Sequence, residues 1–403
     1  MRWRQRWLGW SIGAIALGLS SCTTAEPPTL SDNTIPLGAA FAQTGNASLY
    51  GQELAQGAQV AVAFFNAQGE LKDYTLRLVL QDTGSDEAGA VNAFQTLINR
   101  DRVVGIIGPT LSQQAFSADP IAEQAGVPVV AASNTAQGIP QLGAFISRVS
   151  AGVEVVAPTA IDAALAINPN IRRVAVFFAQ DDAFSRSETD IFQQAIRSKP
   201  NLELITVQQT QTTDTNFQAQ INATLSLNPD LIVISGLAAD GGNLIRQLRE
   251  LGYQGVILGG NGVNTVNVFP VCRRLCNGVL VAQAYNPENP APMNLKFRDA
   301  FEAQYRQLPS QFSAQAFTAV QVFAQSLSKL SRQHNLGQLS LPELRQALNQ
   351  QLLQDTYDTP LGELRFTPEG EVVQRYFYVG QIEMSEDGQT GQFRLVRQVE
   401  RQP

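Results

Sequence analysis

The sequence predicts an α/β protein made of two doubly wound parallel-sheet lobes, and three observations predict it. Short β-branched runs alternate with longer amphipathic stretches from Ile35 onward, and the same rhythm restarts after Arg148. A helical block and then a β-rich tail follow the second unit. Alternation of this kind means βαβ units and a parallel sheet covered on both faces. The late helices and tail imply that the chain recrosses between the lobes, which makes the joint a multi-strand hinge.

In order, the first unit reads as strand 35–42, helix 49–66, strand 76–81, helix 86–99, strand 103–107, helix 112–125 and strand 127–130. The first helix carries Leu54, Ala58, Ala61, Val62 and Phe65 at helical spacing. The second unit reads as helix 153–167, strand 174–178, helix 185–197, strand 202–207, helix 217–226, strand 231–234, helix 242–251 and strand 256–258. Beyond it come a strand at 279–284, helices near 294–306, 313–330 and 341–353, and β segments at 363–366, 375–382 and 393–397. The expected division is residues 35–148 with 285–360 in one lobe, and 149–284 with 361–400 in the other.

Composition narrows function. The 403 residues hold 28 Lys+Arg, 35 Asp+Glu, one His and three Cys, for a net charge of −7. A nucleic-acid binder needs a basic face, so no nucleic-acid partner is expected. With His334 alone, in a polar stretch, there is no catalytic triad to find. No acid/base pair converges in the sequence, no Gly-rich phosphate fingerprint is present, and neither an enzyme nor a cofactor is expected.

The N-terminus reads as an address. Arg2, Arg4 and Arg6 precede a short apolar stretch at 8–19, then Leu19-Ser20-Ser21-Cys22. A membrane span needs about 20 apolar residues, so this is a signal segment. It resembles the lipobox of a bacterial lipoprotein, which implies cleavage of 1–21, acylation of Cys22 and a tether over 22–34. Cys272 and Cys276 then remain as an even pair, and an oxidising compartment favours a local disulfide that shapes a surface loop. Zinc would need about four ligands, and none cluster, so no metal is expected.

Ligands of open α/β sheets sit outside the carboxyl ends of strands, near helix N-termini. Three strand ends in the first unit carry suitable chemistry: 42–51, 108–112 and 130–135, with Ser112, Ser133, Asn134 and Thr135. Hydroxyls and free N–H groups at a helix start suit a carboxylate. Plain helix capping by Ser112 or Ser133 is the competing explanation. Asp82 reads as structural, and Gly241-Gly242 as a tight turn before a helix.

The opening resembles type I periplasmic solute-binding proteins of the branched-chain amino-acid class, receptors of ABC importers. Thr44-Gly45, Tyr50-Gly51-Gln52, Gly57-Ala58 and Asn66-x-x-Gly69 carry the likeness, which continues at 104–135, 174–187, 230–262 and 362–370. The resemblance implies that Ser112 holds the ligand carboxylate, and Ser133 and Thr135 its carboxylate and ammonium. Tyr50, Phe184 and Leu237 fall where an aromatic side chain usually stands near the ligand, Phe184 where the second lobe usually has a tyrosine. Asn261 falls where the leucine/isoleucine/valine-binding protein has a glutamate for the ammonium. A buried ammonium without a carboxylate is costly. Asp182, Asp181 or Asp240 therefore substitutes, or the ligand is not an ordinary α-amino acid. The expectation is a monomeric receptor on the periplasmic face of a membrane, held there by lipid alone and serving ABC permease subunits. A sensor or cell-wall regulatory lipoprotein of the same fold, contacting a partner protein, is the competing reading.

Overall fold

The computed structural model describes residue 30 and residues 33–401. The leader 1–21, Cys22 and most of the tether lie outside the described residues. Among those described, no helix is long and apolar enough to cross a membrane.

The first sheet contains β1 (Thr34–Phe41), β2 (Thr75–Asp82), β3 (Gly105–Ile107), β4 (Val129–Ala131) and β5 (Ile146–Arg148), in the order β2-β1-β3-β4-β5, all parallel. Its central strands are apolar on both faces, as layers of helix on either side require. The helices α1 (Ser48–Gln68), α2 (Glu87–Gln95) and α3 (Ser112–Gln124) connect its strands. α1 lies very close to its surroundings. A Cβ at Gly51 would stand 1.8 Å from the Ala42 carbonyl oxygen, and one at Gly57 would stand 2.0 Å from that of Ser313. Only glycine permits those approaches.

The second lobe begins with α4 (Val153–Ile167). It continues through β6 (Arg173–Ala179), α5 (Ala183–Arg197), β7 (Glu203–Thr210), α6 (Gln218–Leu225), β8 (Leu231–Ser235), α7 (Ala238–Glu250), β9 (Val256–Gly259), α8 (Phe269–Cys272) and β10 (Leu280–Gln283). The chain then returns to pack α9 (Pro292–Tyr305) and α10 (Gln311–Gln333) beside α1, with α11 (Leu341–Gln354) against α10. A small antiparallel sheet of β11 (Thr356–Thr359), β12 (Gly362–Phe366) and β13 (Val372–Gln374) follows, before the tail hairpin of β14 (Tyr376–Met384) and β15 (Gly391–Glu400). The tail joins the second sheet, whose order is β15-β14-β10-β9-β8-β6-β7, with β14 antiparallel to β10.

The chain therefore passes between the sheets three times. Gln374 ties two of the passages together, its Nε2 donating to the Ala284 carbonyl at 2.7 Å and to that of Leu361 at 3.1 Å. The expected segment boundary at 360/361 falls in the turn of the β11–β12 hairpin, whose two strands are paired. Three short strands, β5, β11 and β13, are additional to the sequence reading. Gly241 and Gly242 lie inside α7 rather than in a turn before it. A Cβ at Gly242 would stand 2.8 Å from Val271, so that glycine serves helix packing. Cys272 and Cys276 are joined as a disulfide. Their side chains are fully buried with Val268, Phe269 and Val279, although exposed Arg273 and Arg274 lie between them.

Candidate functional site

The strand ends of the first sheet converge. Ala42 N donates to Thr110 Oγ1 at 2.9 Å, and Ser133 Oγ donates to the Thr110 carbonyl at 2.8 Å, which stitches the ends of β1, β3 and β4 together. Asp82 accepts from Gln43 N at 2.8 Å, Thr44 Oγ1 at 2.7 Å and Gly84 N at 2.8 Å. Desolvation opposes its ionisation, but those hydrogen bonds outweigh it and hold its pKa below the usual value. Asp82 is a loop clasp.

Ser112 is the first residue of α3 and Leu111 occupies the capping position, so Ser112 does not cap. Its hydroxyl accepts from Ala136 N at 3.4 Å. Asn134 is fully buried, and neither atom of its side-chain amide has a hydrogen-bond partner among the described residues. Thr135 Oγ1 is likewise buried and unpaired. Buried polar groups are nearly always paired, so a run of two such side chains beside Ser112 is a departure from ordinary packing. Ser133 is buried here too, with its proton directed at Thr110.

On the second lobe, Asp182 caps α5. Its Oδ2 accepts from Ser185 N at 2.7 Å and Ser185 Oγ at 2.8 Å, while Oδ1 is buried and unpaired. Burial raises its pKa against those hydrogen bonds and against the neighbouring side chain of Gln113, a residue of α3 on the opposite lobe. Asp181 is drawn elsewhere, to Thr212 N at 2.9 Å and Thr212 Oγ1 at 2.7 Å. Asp240 Oδ1 accepts from Leu237 N at 2.9 Å at the start of α7, and burial pushes its pKa up to about 8. Asn261 faces a different neighbour from the one expected. Its Oδ1 accepts from Gln311 Nε2 at 2.7 Å, and its N–H donates to Glu188 Oε1 at 2.8 Å. Glu188 also accepts from Ser235 Oγ at 2.6 Å, and desolvation lifts its pKa to about 7. Phe184 and Leu237 are buried close by. A Cβ at Gly262 would stand 2.1 Å from the Gly236 carbonyl oxygen and 3.1 Å from Phe184 Cε1, so glycine permits that close backbone approach beside the ring.

The two lobes are shut on each other. Tyr50 Oη donates to the Gly262 carbonyl at 2.6 Å and accepts from Ala238 N at 2.6 Å. Its ring lies edge-on to Phe312, with centroids 5.0 Å apart. One turn along α1, Glu53 Oε1 accepts from Thr265 Oγ1 at 2.7 Å and Asn267 Nδ2 at 2.7 Å. Its Oε2 is buried and unpaired, and desolvation raises its pKa to about 7. Gln137 N donates to Ser187 Oγ at 2.9 Å.

The structure thus groups Ser112, Ser133, Asn134 and Thr135 on one wall, and Phe184, Leu237, Asn261 and Asp182 on the other, with Tyr50 bridging. Sequence reasoning missed Glu53, Gln113, Glu188 and Gln311. Glu53 was within reach, since it lies three residues after Tyr50 and so on the same helix face. Gln311 had no local signal. Among the described residues, no group of three His, Cys, Asp or Glu side chains is placed to hold a metal ion.

Two hinged α/β lobes that close over paired strand ends define a solute-binding protein. Residues 34–389 match the family model described as periplasmic binding protein. The chain belongs to that family of binding proteins, and the likeness seen in its opening residues is to the branched-chain amino-acid class within it. The Leu/Ile/Val-binding protein of Escherichia coli K12 is 24% identical over 362 residues, covering 89% of this chain and 92% of the relative. Among solved structures, the branched-chain amino acid transporter substrate binding protein LivJ from Streptococcus pneumoniae, in complex with isoleucine, superposes with a TM-score of 0.79 at 21% identity. That match covers 90% of this chain and 99% of the other. A Rhodopseudomonas palustris solute binding protein in complex with benzoate gives 0.78 at 18% identity, covering 91% and 98%.

Proposed function

We propose that the protein is a lipid-anchored, extracytoplasmic substrate-binding protein of an ABC importer, and that it holds a small neutral amino acid of the branched-chain type between its lobes. The observation that carries this reading is the set of buried, unpaired polar atoms on both walls: Asn134 and Thr135 on the first, Asp182 Oδ1 on the second. Ser112, Asn134 and Thr135 take the ligand carboxylate through hydroxyl, amide and backbone donors at the ends of β3 and β4. Asp182 Oδ1 takes the ammonium, because Asn261 has its oxygen on Gln311 and Asp181 is drawn away to Thr212. Phe184 and Leu237 face the apolar side chain. Relatives named for leucine, isoleucine and valine support this class of ligand. Cys22 acylation and a monomeric state complete the reading, with the permease as the membrane partner. The lobes comprise 35–148 with 285–374, and 149–284 with 375–400, the last boundary moved from 360/361 to the final passage because β11, β12 and β13 pair as one sheet.

A second reading comes from Asn261. Without a glutamate there, a ligand lacking an amine, such as an aromatic carboxylate, uses the same first-lobe wall. Calorimetry separates the two. L-leucine binds tightly and Asp182→Asn weakens it at least tenfold if the ammonium is read. Equal affinity for L-leucine and its des-amino analogue, or full affinity in Asp182→Asn, refutes the amino-acid reading.

A further inference from the structure

Arg148 is buried to 1% exposure, and each of its five guanidinium hydrogens has an acceptor. Nε donates to Glu371 Oε1 at 2.8 Å, and Nη2 to Glu371 Oε2 at 2.6 Å and Glu154 Oε1 at 2.8 Å. Nη1 donates to the carbonyls of Ala136 at 2.8 Å and Asn134 at 3.3 Å. These acceptors come from three separate stretches of chain. Asn134 and Ala136 belong to the loop that carries the unpaired polar side chains. Glu154 lies in the first turn of α4, just past the first passage between lobes. Glu371 lies between β12 and β13, just before the last passage.

The backbone repeats the pattern. Arg148 N donates to the Gly370 carbonyl at 3.0 Å, and Val153 N to that of Thr135 at 2.9 Å. A Cβ at Gly152 would stand 2.2 Å from Arg148 Nη2, so the guanidinium is tightly enclosed on that side, and one at Gly370, where φ is +84°, would stand 2.4 Å from the Ile146 carbonyl oxygen, so the turn lies close on the backbone of β5. A guanidinium held in a fixed fork on four partners cannot let one of them move alone.

We infer that Arg148 is a positioning residue that couples the 133–136 loop to the hinge, so that lobe rotation and the placement of Asn134 and Thr135 are one event. The inference rests on reading that loop as the ligand wall. A change at Glu371, which makes no hydrogen bond to the loop, must then reach Asn134 through Arg148.

The experiment uses the full chain carrying Glu371→Gln, with hydrogen exchange of the unliganded protein and L-leucine titration as readouts. Exchange at the amides of 134–137 and of Val153 rises at least tenfold, alongside that of 367–372, while α7 stays at the wild-type level. Affinity for L-leucine falls at least fivefold. Glu154→Gln, at the other passage, gives the same loop response and substitutes if Glu371→Gln does not fold. Faster exchange confined to the mutated turn, with 134–137 unchanged, overturns the inference. If wild-type protein does not bind L-leucine, the amino-acid reading fails, and the exchange data still decide the coupling.

Discussion

Glu53 makes the closed state sensitive to pH, and the size of the effect follows from its surroundings. In the shut structure its carboxyl is buried, with one oxygen on Thr265 and Asn267 and the other without a partner. Desolvation raises its pKa from 4.5 to about 7. Tyr50 is the titratable group beside it on α1, and it stays neutral because burial raises its own pKa well above the ordinary value. Opening returns Glu53 to water and to its ordinary pKa. Between the two values the shut form keeps its proton and the open form loses it, so rising pH favours opening through that window and adds nothing above it. A shift of this size corresponds to roughly 3 kcal/mol, or about two orders of magnitude in the closing equilibrium. Glu53→Gln keeps an acceptor for Thr265 and Asn267 and removes the charge. Pulsed dipolar distances between spin labels at exposed Asn92 and Asn222 would follow closure from pH 4.5 to 8. Wild type opens as pH rises, and the variant loses about one proton's worth of that slope. Identical slopes in the two proteins would refute the argument.

Three further outcomes follow. Tyr50→Phe keeps the ring on Phe312 but leaves Ala238 N–H and the Gly262 carbonyl unpaired on closing, about 1–3 kcal/mol for each group. The same label pair therefore reports a more open unliganded protein, and an unchanged distance distribution removes Tyr50 as a latch. In the Glu53→Gln variant, binding of L-leucine at pH 7 releases protons, because an ammonium at Asp182 lowers the pKa of about 8 that burial gives neighbouring Asp240. Titration in buffers of differing ionisation enthalpy measures that release, and its absence means the ammonium lies elsewhere. Cys22→Ser transfers the protein from the membrane to the soluble fraction, and a variant that stays bound rules out the lipid anchor.

The fold was legible because its signals are local. Buried parallel strands such as β8 (Leu-Ile-Val-Ile-Ser) read as unbroken apolar runs, and α4 has the same limits in sequence and in structure. The strands that escaped notice, β5, β11 and β13, are three or four residues long and are set by partners distant in sequence. The meeting of Ser112 with the 133–136 loop was equally legible, since both stand at the ends of neighbouring strands. The second wall was harder. Asn261 was read against a family position, but its partner is Gln311, which comes back from the far side of the hinge and has no neighbour in sequence to announce it. Arg148 marked only the end of the first unit. Its partners, Glu154 and Glu371, are six and more than two hundred residues away.

The closed form is held by two kinds of contact that pull in opposite directions. Tyr50, Glu53 and Gln137 bond the lobes directly and need no ligand to do so. Asn134, Thr135 and Asp182 keep polar atoms out of water without partners, and each such group costs about 1–3 kcal/mol in the shut state. A solute that satisfies these atoms therefore does more than add its own hydrogen bonds, because it removes a penalty that the unliganded shut form bears. Its leverage on the equilibrium is the difference in its affinity for the two states. On that argument the direct latch determines how often the lobes meet, and the unpaired atoms determine which solutes keep them together. Changes to Tyr50 or Glu53 then shift affinity for all ligands alike, whereas changes to Asp182 alter the ranking among them.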